Sequence, residues 1–467
     1  MSLEELGRHL ISNERCHFVG IGGVSMSPLA QIFKNTGIEV TGSDIRDNAA
    51  TRELRESGIQ INIGHDAKNI AGAGYLIRTA AAREDNAEIL AAREQGVPVF
   101  ERAEVWGYIM REYKNAICIA GTHGKTTTTS MVSHILLAAG ADPTIMIGGT
   151  LPEIKAGHRV GKGDVIVLES CEYYNSFHNF RPTMAVVLNI DSDHLDFFNS
   201  LDEIKRSFCK FAAIVPVNGL VICNGDVENT MESLTALGRD LITFGFGEYA
   251  NITEMPVDVR GVNVSVSGRN PSMDVLVANK LTCAIELSIP GKHNLMNALA
   301  ATAVCLRLGI APKVIEEGLL SYVGSGRRFE YIGSFNGADI YDDYAHHPQE
   351  LKALLDAVAS IDSYKRVILA FQPHTYTRTK VLFEEFVQQL KRPDVVFLAE
   401  IYAAREINTV GVSSNDLVTA ISGSYFVPEF SQLVSKIADI ARKGDIILTV
   451  GAGDIFKVGL DLANREK

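Results

Sequence analysis

The chain has 467 residues, of which 46% are hydrophobic and 21% charged, a composition typical of a soluble globular protein with about two to four domains. A formal net charge of −12 argues against a nucleic-acid or membrane-surface binder, because proteins that bind a phosphate backbone are normally basic. The cysteines form no CxxC pair, no apolar run is long enough to span a bilayer, and the first residues lack the layout of a signal peptide, so we expect a cytoplasmic protein with free thiols.

Short apolar runs bounded by polar or glycine-containing turns predict buried strands along the whole chain. In chain order, the clearest cover 16–19, 38–41, 115–119, 165–168, 184–190, 220–223, 241–244, 339–342, 366–371, 395–398 and 445–450. Apolar residues at helical spacing alternate with these runs and predict helices over 27–36, 106–114, 130–139 and 292–308. Residues 251–290 alternate polar and apolar positions, as an antiparallel segment would. The fold class is therefore α/β, with mostly parallel sheets.

Three domains are expected from this pattern. They are a Rossmann-like domain over 1–113, a central domain of the phosphate-loop ATPase type over 114–324, and a second Rossmann-like domain over 325–467. The predicted strands of the last domain end in polar or glycine-rich loops. Ligands bind at the carboxyl ends of strands in open parallel sheets, so these loops are candidate ligand sites.

The first domain opens with a strand that leads into a glycine-rich turn containing Gly22 and Gly23. Ser43 and Asp44 follow the second predicted strand, where a carboxylate can meet a ribose. However, Ser25 stands where the dinucleotide-binding pattern has its third glycine. A nucleotide or nucleotide-sugar site and ordinary turn chemistry therefore both remain open.

The most specific motif lies between a predicted strand and a predicted helix, which is the context of a phosphate-binding loop. It consists of Gly121, Thr122, His123, Gly124, Lys125, Thr126 and Thr127. The glycines let backbone N–H groups approach an anion at the N-terminus of the helix. Lys125 supplies a positive charge for the terminal phosphates, and the hydroxyl of Thr126 suits Mg²⁺. The sequence therefore predicts a nucleoside triphosphate site.

Glu169 and His194 follow predicted strands of the central domain, so both can reach the phosphate edge of the sheet. A carboxylate in this place is the usual partner of the loop hydroxyl in holding Mg²⁺. Glu172 competes with Glu169 for that role, and the position after the strand favours Glu169. His194 on its own would more often be a hydrogen-bonding loop residue, because hard cations favour oxygen ligands.

Arg378 follows a buried strand of the last domain and could hold a substrate carboxylate through a bidentate pair. A solvated arginine at the start of a helix is the alternative. Arg327 and Arg328, at the joint before this domain, could touch phosphates when domains close. Adjacent His346 and His347 point in different directions on a loop, so a zinc site made from these two is not expected.

Taken together, the motifs resemble those of the Mur ligase family, which builds the peptide of bacterial cell-wall precursors. The resemblance covers essentially the full length of the chain. The segments that carry it are 20–23, 43–44, 85–89, 98–104, 121–127, 189–196, 291–298, 326–330, 342–348 and 371–379.

The resemblance implies that the first domain binds the UDP part of a substrate, the central domain ATP, and the last domain an amino acid. For UDP it implies contacts from Gly22, Gly23, Ser43 and Asp44. For ATP it implies contacts from the phosphate loop, Asn294, Arg328 and Asp343. For Mg²⁺ it implies Thr126, Glu169 and His194. For the amino acid it implies Tyr344, His374 and Arg378.

The implied reaction joins L-alanine to UDP-N-acetylmuramate. The γ-phosphoryl group of ATP moves to the muramyl carboxylate, and the amine of alanine then attacks the acyl phosphate, giving an amide, ADP and phosphate. Lys125, Glu169, His194 and Arg328 would be the catalytic residues. The protein would act as a monomer or homodimer, without nucleic acid and without insertion into a membrane.

Family members that act later in the pathway carry a lysine about one helix beyond the position of His194. Phe208 and Cys209 stand at that spacing here, which favours the first amino-acid step. A recycling ligase that adds a ready-made tripeptide to UDP-N-acetylmuramate remains the nearest alternative. A phosphate-loop protein that uses ATP as a binding switch, and a redox enzyme that uses NAD, are weaker alternatives from other classes.

Overall fold

A computed structural model of the chain describes residues 6–9, 14–194, 197–248, 257–404 and 406–465. Their strands form three sheets, and each sheet lies within one of the three predicted domains. The end of the 189–196 motif and the start of the predicted antiparallel segment, residues 251–256, lie outside the described residues. In the described part of the chain, no helix has both the length and the apolar character needed to cross a membrane.

The first sheet has five parallel strands in the order β3-β2-β1-β4-β5. The strands are β1 (Cys16–Val19), β2 (Val40–Asp44), β3 (Gln60–Ile63), β4 (Tyr75–Arg78) and β5 (Val99–Glu101). The helices are α1 (Ser27–Asn35), α2 (Ala49–Glu56), α3 (Ala87–Glu94) and α4 (Arg102–Ile109). The strand order reverses between β1 and β4, and ligands of such sheets bind outside the carboxyl ends at this point. The predicted Rossmann-like fold is confirmed.

The central sheet has ten strands in the order β15-β14-β13-β12-β11-β10-β6-β9-β7-β8. The strands are β6 (Asn115–Ala120), β7 (Thr144–Leu151), β8 (Ala156–Arg159), β9 (Val165–Glu169), β10 (Met184–Val187), β11 (Leu220–Asn224), β12 (Ile242–Gly245), β13 (Val259–Ser265), β14 (Ser272–Val277) and β15 (Lys280–Glu286). The helices are α5 (Lys125–Ala138), α6 (Leu201–Ala213), α7 (Glu228–Thr235), α8 (Lys292–Arg307) and α9 (Pro312–Ser321). The predicted antiparallel segment is confirmed for β13–β15, which continue the central sheet at one edge.

The third sheet has six strands in the order β16-β17-β21-β18-β19-β20, with only β16 antiparallel to its neighbour. The strands are β16 (Glu330–Phe335), β17 (Ala338–Asp343), β18 (Arg366–Phe371), β19 (Val395–Leu398), β20 (Ser424–Phe426) and β21 (Asp445–Val450). The helices are α10 (Pro348–Ala359), α11 (Tyr376–Val381), α12 (Phe383–Leu390), α13 (Ser414–Ala420), α14 (Phe430–Ile440) and α15 (Phe456–Arg465).

Among the element boundaries that differ from the predictions, such as the helix predicted over 106–114 and observed over Arg102–Ile109, three lie at candidate sites. Helix α5 begins at Lys125, directly after the glycine loop, and not at residue 130. Strand β2 runs on to Asp44, which is therefore its last residue and does not follow it. Strand β10 ends at Val187, before the end of the predicted strand over 184–190. The chain leaves the sheet there because Asn189 hydrogen-bonds the backbone of the phosphate loop at His123.

The first and central domains meet where α4 packs against a 3-10 helix over Tyr173–Asn179. Trp106 of α4 is fully buried, and its indole N–H donates to the carbonyl of Ser25 at 3.1 Å. Its neighbour Gly107 faces the 3-10 helix so closely that an added Cβ would lie 1.9 Å from the carbonyl oxygen of Asn179. Only glycine fits at this junction without moving backbone.

We predict that Gly107→Ala destabilises the protein by about 1–3 kcal/mol, because the new methyl group would overlap a backbone carbonyl that side-chain rotation cannot move away. Thermal unfolding measures the effect as a lower midpoint. The matched control is Gly225→Ala, where the nearest atoms to an added Cβ lie at 3.4 Å. Equal midpoints for the two variants would contradict the close contact.

Candidate active site

The phosphate loop joins β6 to α5 and has a backbone that only glycine adopts easily. Gly121 and Gly124 have φ angles of +148° and +84°. A Cβ on Gly121 would lie 2.9 Å from the side chain of Leu188, and one on Gly124 would lie 2.5 Å from Oδ1 of Asn297. Other side chains therefore pack closely against one side of the loop, and α5 begins directly after the loop. This is the arrangement that binds phosphate through backbone N–H groups.

The ammonium group of Lys125 lies over the loop. Its Nζ donates to the carbonyl of Gly121 at 2.5 Å and to Oε2 of Glu172 at 3.0 Å. Burial alone would lower the pKa of Lys125, but the negative charges around it, Glu172 foremost, raise the pKa above its ordinary value. The lysine therefore remains positively charged, with Glu172 as its counter-ion.

Glu169, the last residue of β9, faces the loop hydroxyl instead of the lysine. Its Oε1 accepts a hydrogen bond from Thr126 at 3.1 Å, and its Oε2 accepts one from the N–H of Gly148 at 2.6 Å. A hydroxyl beside a carboxylate is the oxygen donor set that suits Mg²⁺. Glu172 is engaged by Lys125, so the contacts favour Glu169 for the metal-binding role.

His194 follows β10 and has a positive φ of +52°, which is strained for a histidine and is often found at functional sites. Its Nε2 lies 3.8 Å from Oε1 of Glu172. Within the described ranges, no group of three or more His, Cys, Asp or Glu side chains is already arranged as metal ligands. Thr126 and Glu169 therefore fit a divalent cation, and a metal-binding role for His194 stays a prediction.

A cavity of about 530 Å³ extends from the phosphate loop into the space between the central and third domains. Its size is within the usual range for small-molecule sites. The predicted ATP contacts found in its wall are His123, Gly124, Thr127, Asn294, Arg328 and Asp343. Burial raises the pKa of Asp343 to about 6, against the opposing effect of Arg328. These residues come from four separate stretches of sequence, and the fold brings them together.

Glu350 of α10 is a residue of this cavity that the sequence did not single out. Its Oε2 accepts the backbone N–H of His346 at 3.0 Å, and its Oε1 lies 3.3 Å from Nδ1 of His123 in the phosphate loop. Burial alone would raise the pKa of Glu350, but the surrounding His346, His123 and Arg328 hold it well below its usual range. The carboxylate thus links the third domain to the phosphate loop. The capping-box spacing of His347 and Glu350 is the sequence feature that could have identified Glu350.

A second cavity, of about 400 Å³, lies where all three domains meet. Residues of every domain line it, including Thr79, Arg102, Tyr173, His194, His374 and Arg378. Tyr344, the remaining predicted amino-acid contact, is not part of this wall. Its ring instead lies under the guanidinium groups of Arg327 and Arg328, at 4.9 and 5.2 Å from the ring centroid.

Arg378 already has two partners in this cavity. Its Nη2 donates to Oδ1 of Asp193 at 2.8 Å, and its Nη1 lies 3.0 Å from Nδ1 of His374. Burial lowers the pKa of His374 to about 3, so the imidazole is neutral and its Nδ1 can accept this hydrogen bond. Asp193 was not among the predicted site residues, although it lies between two polar residues in the loop after β10.

The predicted UDP contacts divide into two groups. The N–H of Gly22 donates to Oδ2 of Asp44 at 2.9 Å, so the glycine turn and the end of β2 form one structure at the carboxyl edge of the first sheet. Ser43, by contrast, is fully buried, and its hydroxyl donates to Oε2 of Glu88 at 2.6 Å. A contact between this hydroxyl and UDP would require the hydrogen bond to open.

Glu88 is a fully buried carboxylate that contacts polar groups on several elements of the first domain. Asn69 donates to its Oε1 at 2.6 Å, and Nδ1 of His65 lies 3.2 Å from its Oε2. Burial alone would raise the pKa of Glu88, but hydrogen bonds from His17, Ser43 and Asn69 lower it to about 2. Glu88 is therefore ionised and ties the ends of β2 and β3 to α3.

The phosphate loop in the central sheet and the cavity at the meeting point of three α/β domains define the class of protein. The chain is a nucleotide-binding protein in which groups from separate domains line one site. Family models match nearly the whole chain: "Mur ligase family, catalytic domain" over residues 15–114, "Mur ligase middle domain" over 119–305, and "Mur ligase, glutamate ligase domain" over 327–453. The chain belongs to the Mur ligase family.

Individual relatives agree with this assignment. The chain is 42% identical over 460 residues to the UDP-N-acetylmuramate–L-alanine ligase of Caldanaerobacter subterraneus subsp. tengcongensis, which covers 97% of this chain and 98% of that protein. The solved structure of the UDP-N-acetylmuramate–alanine ligase of Thermotoga maritima is 29% identical with a TM-score of 0.81, covering 97% of this chain and 99% of that chain. A UDP-N-acetylmuramate:L-alanyl-gamma-D-glutamyl-meso-diaminopimelate ligase from Neisseria meningitides is 27% identical with a TM-score of 0.59, covering 66% of this chain and 98% of that chain.

We predict that Glu88→Gln lowers the free energy of unfolding by about 1–3 kcal/mol at pH 7, because hydrogen bonds to the charged group are lost. The folded-state pKa of about 2 lies below the ordinary value of about 4.3, so this stabilisation is present above pH 4.3 and is lost as the pH falls towards 2. Urea unfolding should therefore give a constant difference between wild type and variant from pH 7 to pH 5 and a smaller one below pH 4.

The control is Glu94→Gln, on the exposed face of the same helix, which should change stability by less than about 0.5 kcal/mol. A difference for Glu88→Gln that stayed constant down to pH 3 would contradict the depressed pKa of this carboxyl.

Proposed function

We propose that the protein is an ATP-dependent ligase that adds L-alanine to UDP-N-acetylmuramate. The observation that carries this proposal is the cavity shared by all three domains, in which Arg378 and His374 of the third domain face His194 of the central domain. An amide bond between two separately bound substrates requires such a meeting point. The activity for which the full-length relatives are named supports the choice of substrates.

The proposed division of work follows the predicted domains, 1–113 for the UDP part of the substrate, 114–324 for ATP and 325–467 for the amino acid. Gly22, Gly23 and Asp44 would lie beside UDP. Asn294, Arg328 and Asp343 would bind ATP together with the phosphate loop. His374 and Arg378 would bind the amino acid, with Tyr344 acting through the arginines on which it stacks.

In the first step, the muramyl carboxylate attacks the γ-phosphorus of ATP, and the bond to the β-phosphate oxygen breaks, which gives an acyl phosphate and ADP. Lys125 and the N-terminus of α5 stabilise the charge on the phosphates, and Arg328 approaches them from the third domain. Mg²⁺ held by Thr126, Glu169 and His194 would neutralise further phosphate charge. Arg328 lines the same cavity as His123, Gly124 and Thr127 of the phosphate loop, and Thr126 contacts Glu169, which supports the assignment.

In the second step, the amine of L-alanine attacks the carbonyl carbon of the acyl phosphate. The C–N bond forms, the C–O bond breaks, inorganic phosphate leaves, and the protons that the amine loses pass to the departing phosphate or to water. Water would hydrolyse the acyl phosphate in an open site, so the enclosure of this cavity by three domains is part of the function. We expect the enzyme to act in the cytoplasm as a monomer or homodimer.

We predict that Lys125→Met lowers kcat by at least about 100-fold, because it removes the positive charge nearest the transferred phosphoryl group. The substitution leaves Glu172 buried without its partner, which could also destabilise the protein. The double variant Lys125→Met with Glu172→Gln removes that unpaired charge. Both variants should be folded by circular dichroism and inactive in phosphate release, whereas near-normal turnover in either would contradict the role of Lys125.

Phosphate release with ATP, Mg²⁺ and UDP-N-acetylmuramate tests the choice of acceptor. We expect release that depends on L-alanine and an amide product of the corresponding mass. Release only with the tripeptide L-alanyl-γ-D-glutamyl-meso-diaminopimelate would assign the protein to the recycling reaction. If no acceptor stimulates release, the ligase proposal fails and an ATP-dependent binding switch becomes the better explanation.

A further inference from the structure

We propose that Asp193 and Arg378 together form a two-charge site for the incoming amino acid, in which Asp193 binds the ammonium group and Arg378 binds the carboxylate. This inference rests on the proposed function and deepens it, because it assigns a residue to the end of the substrate that reacts. Asp193 would thus be a substrate-binding residue.

The two side chains face each other across a domain boundary. Asp193 lies in the loop after β10 of the central domain, and Arg378 lies on α11 of the third domain. Their ion pair joins Oδ1 to Nη2 at 2.8 Å, and both side chains line the cavity where the three domains meet. Only 12% of the arginine side chain and 11% of the aspartate side chain is exposed, so the charges are largely removed from water.

Neighbouring groups hold both side chains in place. The neighbouring His374 is neutral and accepts from the second guanidinium nitrogen, so it fixes the orientation of Arg378 without adding charge. The backbone N–H of His194 donates to Asp193 at 2.7 Å and fixes the carboxylate in the same way.

A zwitterion is the ligand that such a pair accommodates without an uncompensated charge. An α-amino acid placed between the two side chains replaces one ion pair by two and leaves the net charge of the cavity unchanged. A simple carboxylate would have to compete with Asp193 for Arg378 and would add a buried negative charge. A simple amine would have to compete with Arg378 for Asp193 and would add a buried positive charge. The ion pair therefore favours the binding of a whole amino acid over the binding of a carboxylate or an amine alone.

The direction of binding also suits the reaction. Asp193 precedes His194, whose Nε2 lies 3.8 Å from Glu172, and Glu172 contacts Lys125 of the phosphate loop. An ammonium group on Asp193 would thus lie on the phosphate side of the cavity, where the acyl phosphate forms. Asp193 would thus hold the amine end of the substrate in position beside the acyl phosphate.

The test is Asp193→Asn, which keeps the shape of the side chain and removes its charge. We expect the KM for L-alanine to rise about 10- to 100-fold, the range for loss of a charged hydrogen bond, with the KM values for ATP and UDP-N-acetylmuramate changed less than about threefold. Propionate, which has the carboxylate but no ammonium group, should inhibit the variant more strongly than the wild type, because Arg378 is released from Asp193.

These opposite shifts distinguish the proposal from two other roles of the ion pair. If Asp193 only occupied the guanidinium group of Arg378 and did not contact the substrate, the variant would show a lower KM for L-alanine. If the pair only held the domains together, all three KM values and the Mg²⁺ requirement would change in parallel. Either result, or an unchanged KM for L-alanine, would overturn the proposal.

The matched control is Gln349→Ala, which removes a different side-chain contact between the same two domains, that of Gln349 with Asp191. This variant should leave the KM for L-alanine unchanged. Failure of the proposed function is recognised separately, because the wild type would then show no phosphate release that depends on L-alanine. A wild type that depends on L-alanine, combined with a variant lacking the opposite shifts, rejects the inference about Asp193 alone.

Discussion

The buried ion pair between Lys125 and Glu172 is the interaction on which the central site depends. A lysine at the start of a helix, surrounded by protein, would lose its charge unless a counter-ion accompanied it. Glu172 supplies that charge from the segment after β9, and the carbonyl of Gly121 accepts from the same ammonium group. The positive charge, the glycine loop and the N-terminus of α5 are thereby held at one edge of the sheet, which gives phosphate a fixed place to bind.

The order of strands in the central sheet explains why the other groups lie close by. β6 stands between β10 and β9, and all three are parallel, so their carboxyl ends meet at the same edge. Glu169 ends one of the flanking strands, β9, and His194 lies in the loop that follows the other, β10, so both lie near this edge. The third domain places Glu350 beside the phosphate loop and Arg378 beside Asp193. These polar contacts close the site on the side of the third domain.

The sequence predicted the local features of this arrangement well. Alternating apolar runs and helical patterns gave the α/β class and the three sheets, and glycine spacing identified the phosphate loop. The pairs that close the site were not predictable, because their members are far apart in the chain: 227 positions separate His123 from Glu350, and 185 separate Asp193 from Arg378. A UDP contact from Ser43 was expected from the family resemblance. The burial of Ser43 against Glu88 depends on packing that the local pattern does not contain.

The central claim is that ATP activates the muramyl carboxylate before the amine attacks. The most direct test uses UDP-N-acetylmuramate with ¹⁸O in both carboxylate oxygens, with ATP, Mg²⁺ and L-alanine. Our account predicts that the released phosphate carries one ¹⁸O atom and the amide product retains the other, because the carboxylate oxygen that attacks phosphorus leaves with it. Released phosphate without ¹⁸O, alongside normal amide formation, would contradict the acyl-phosphate route.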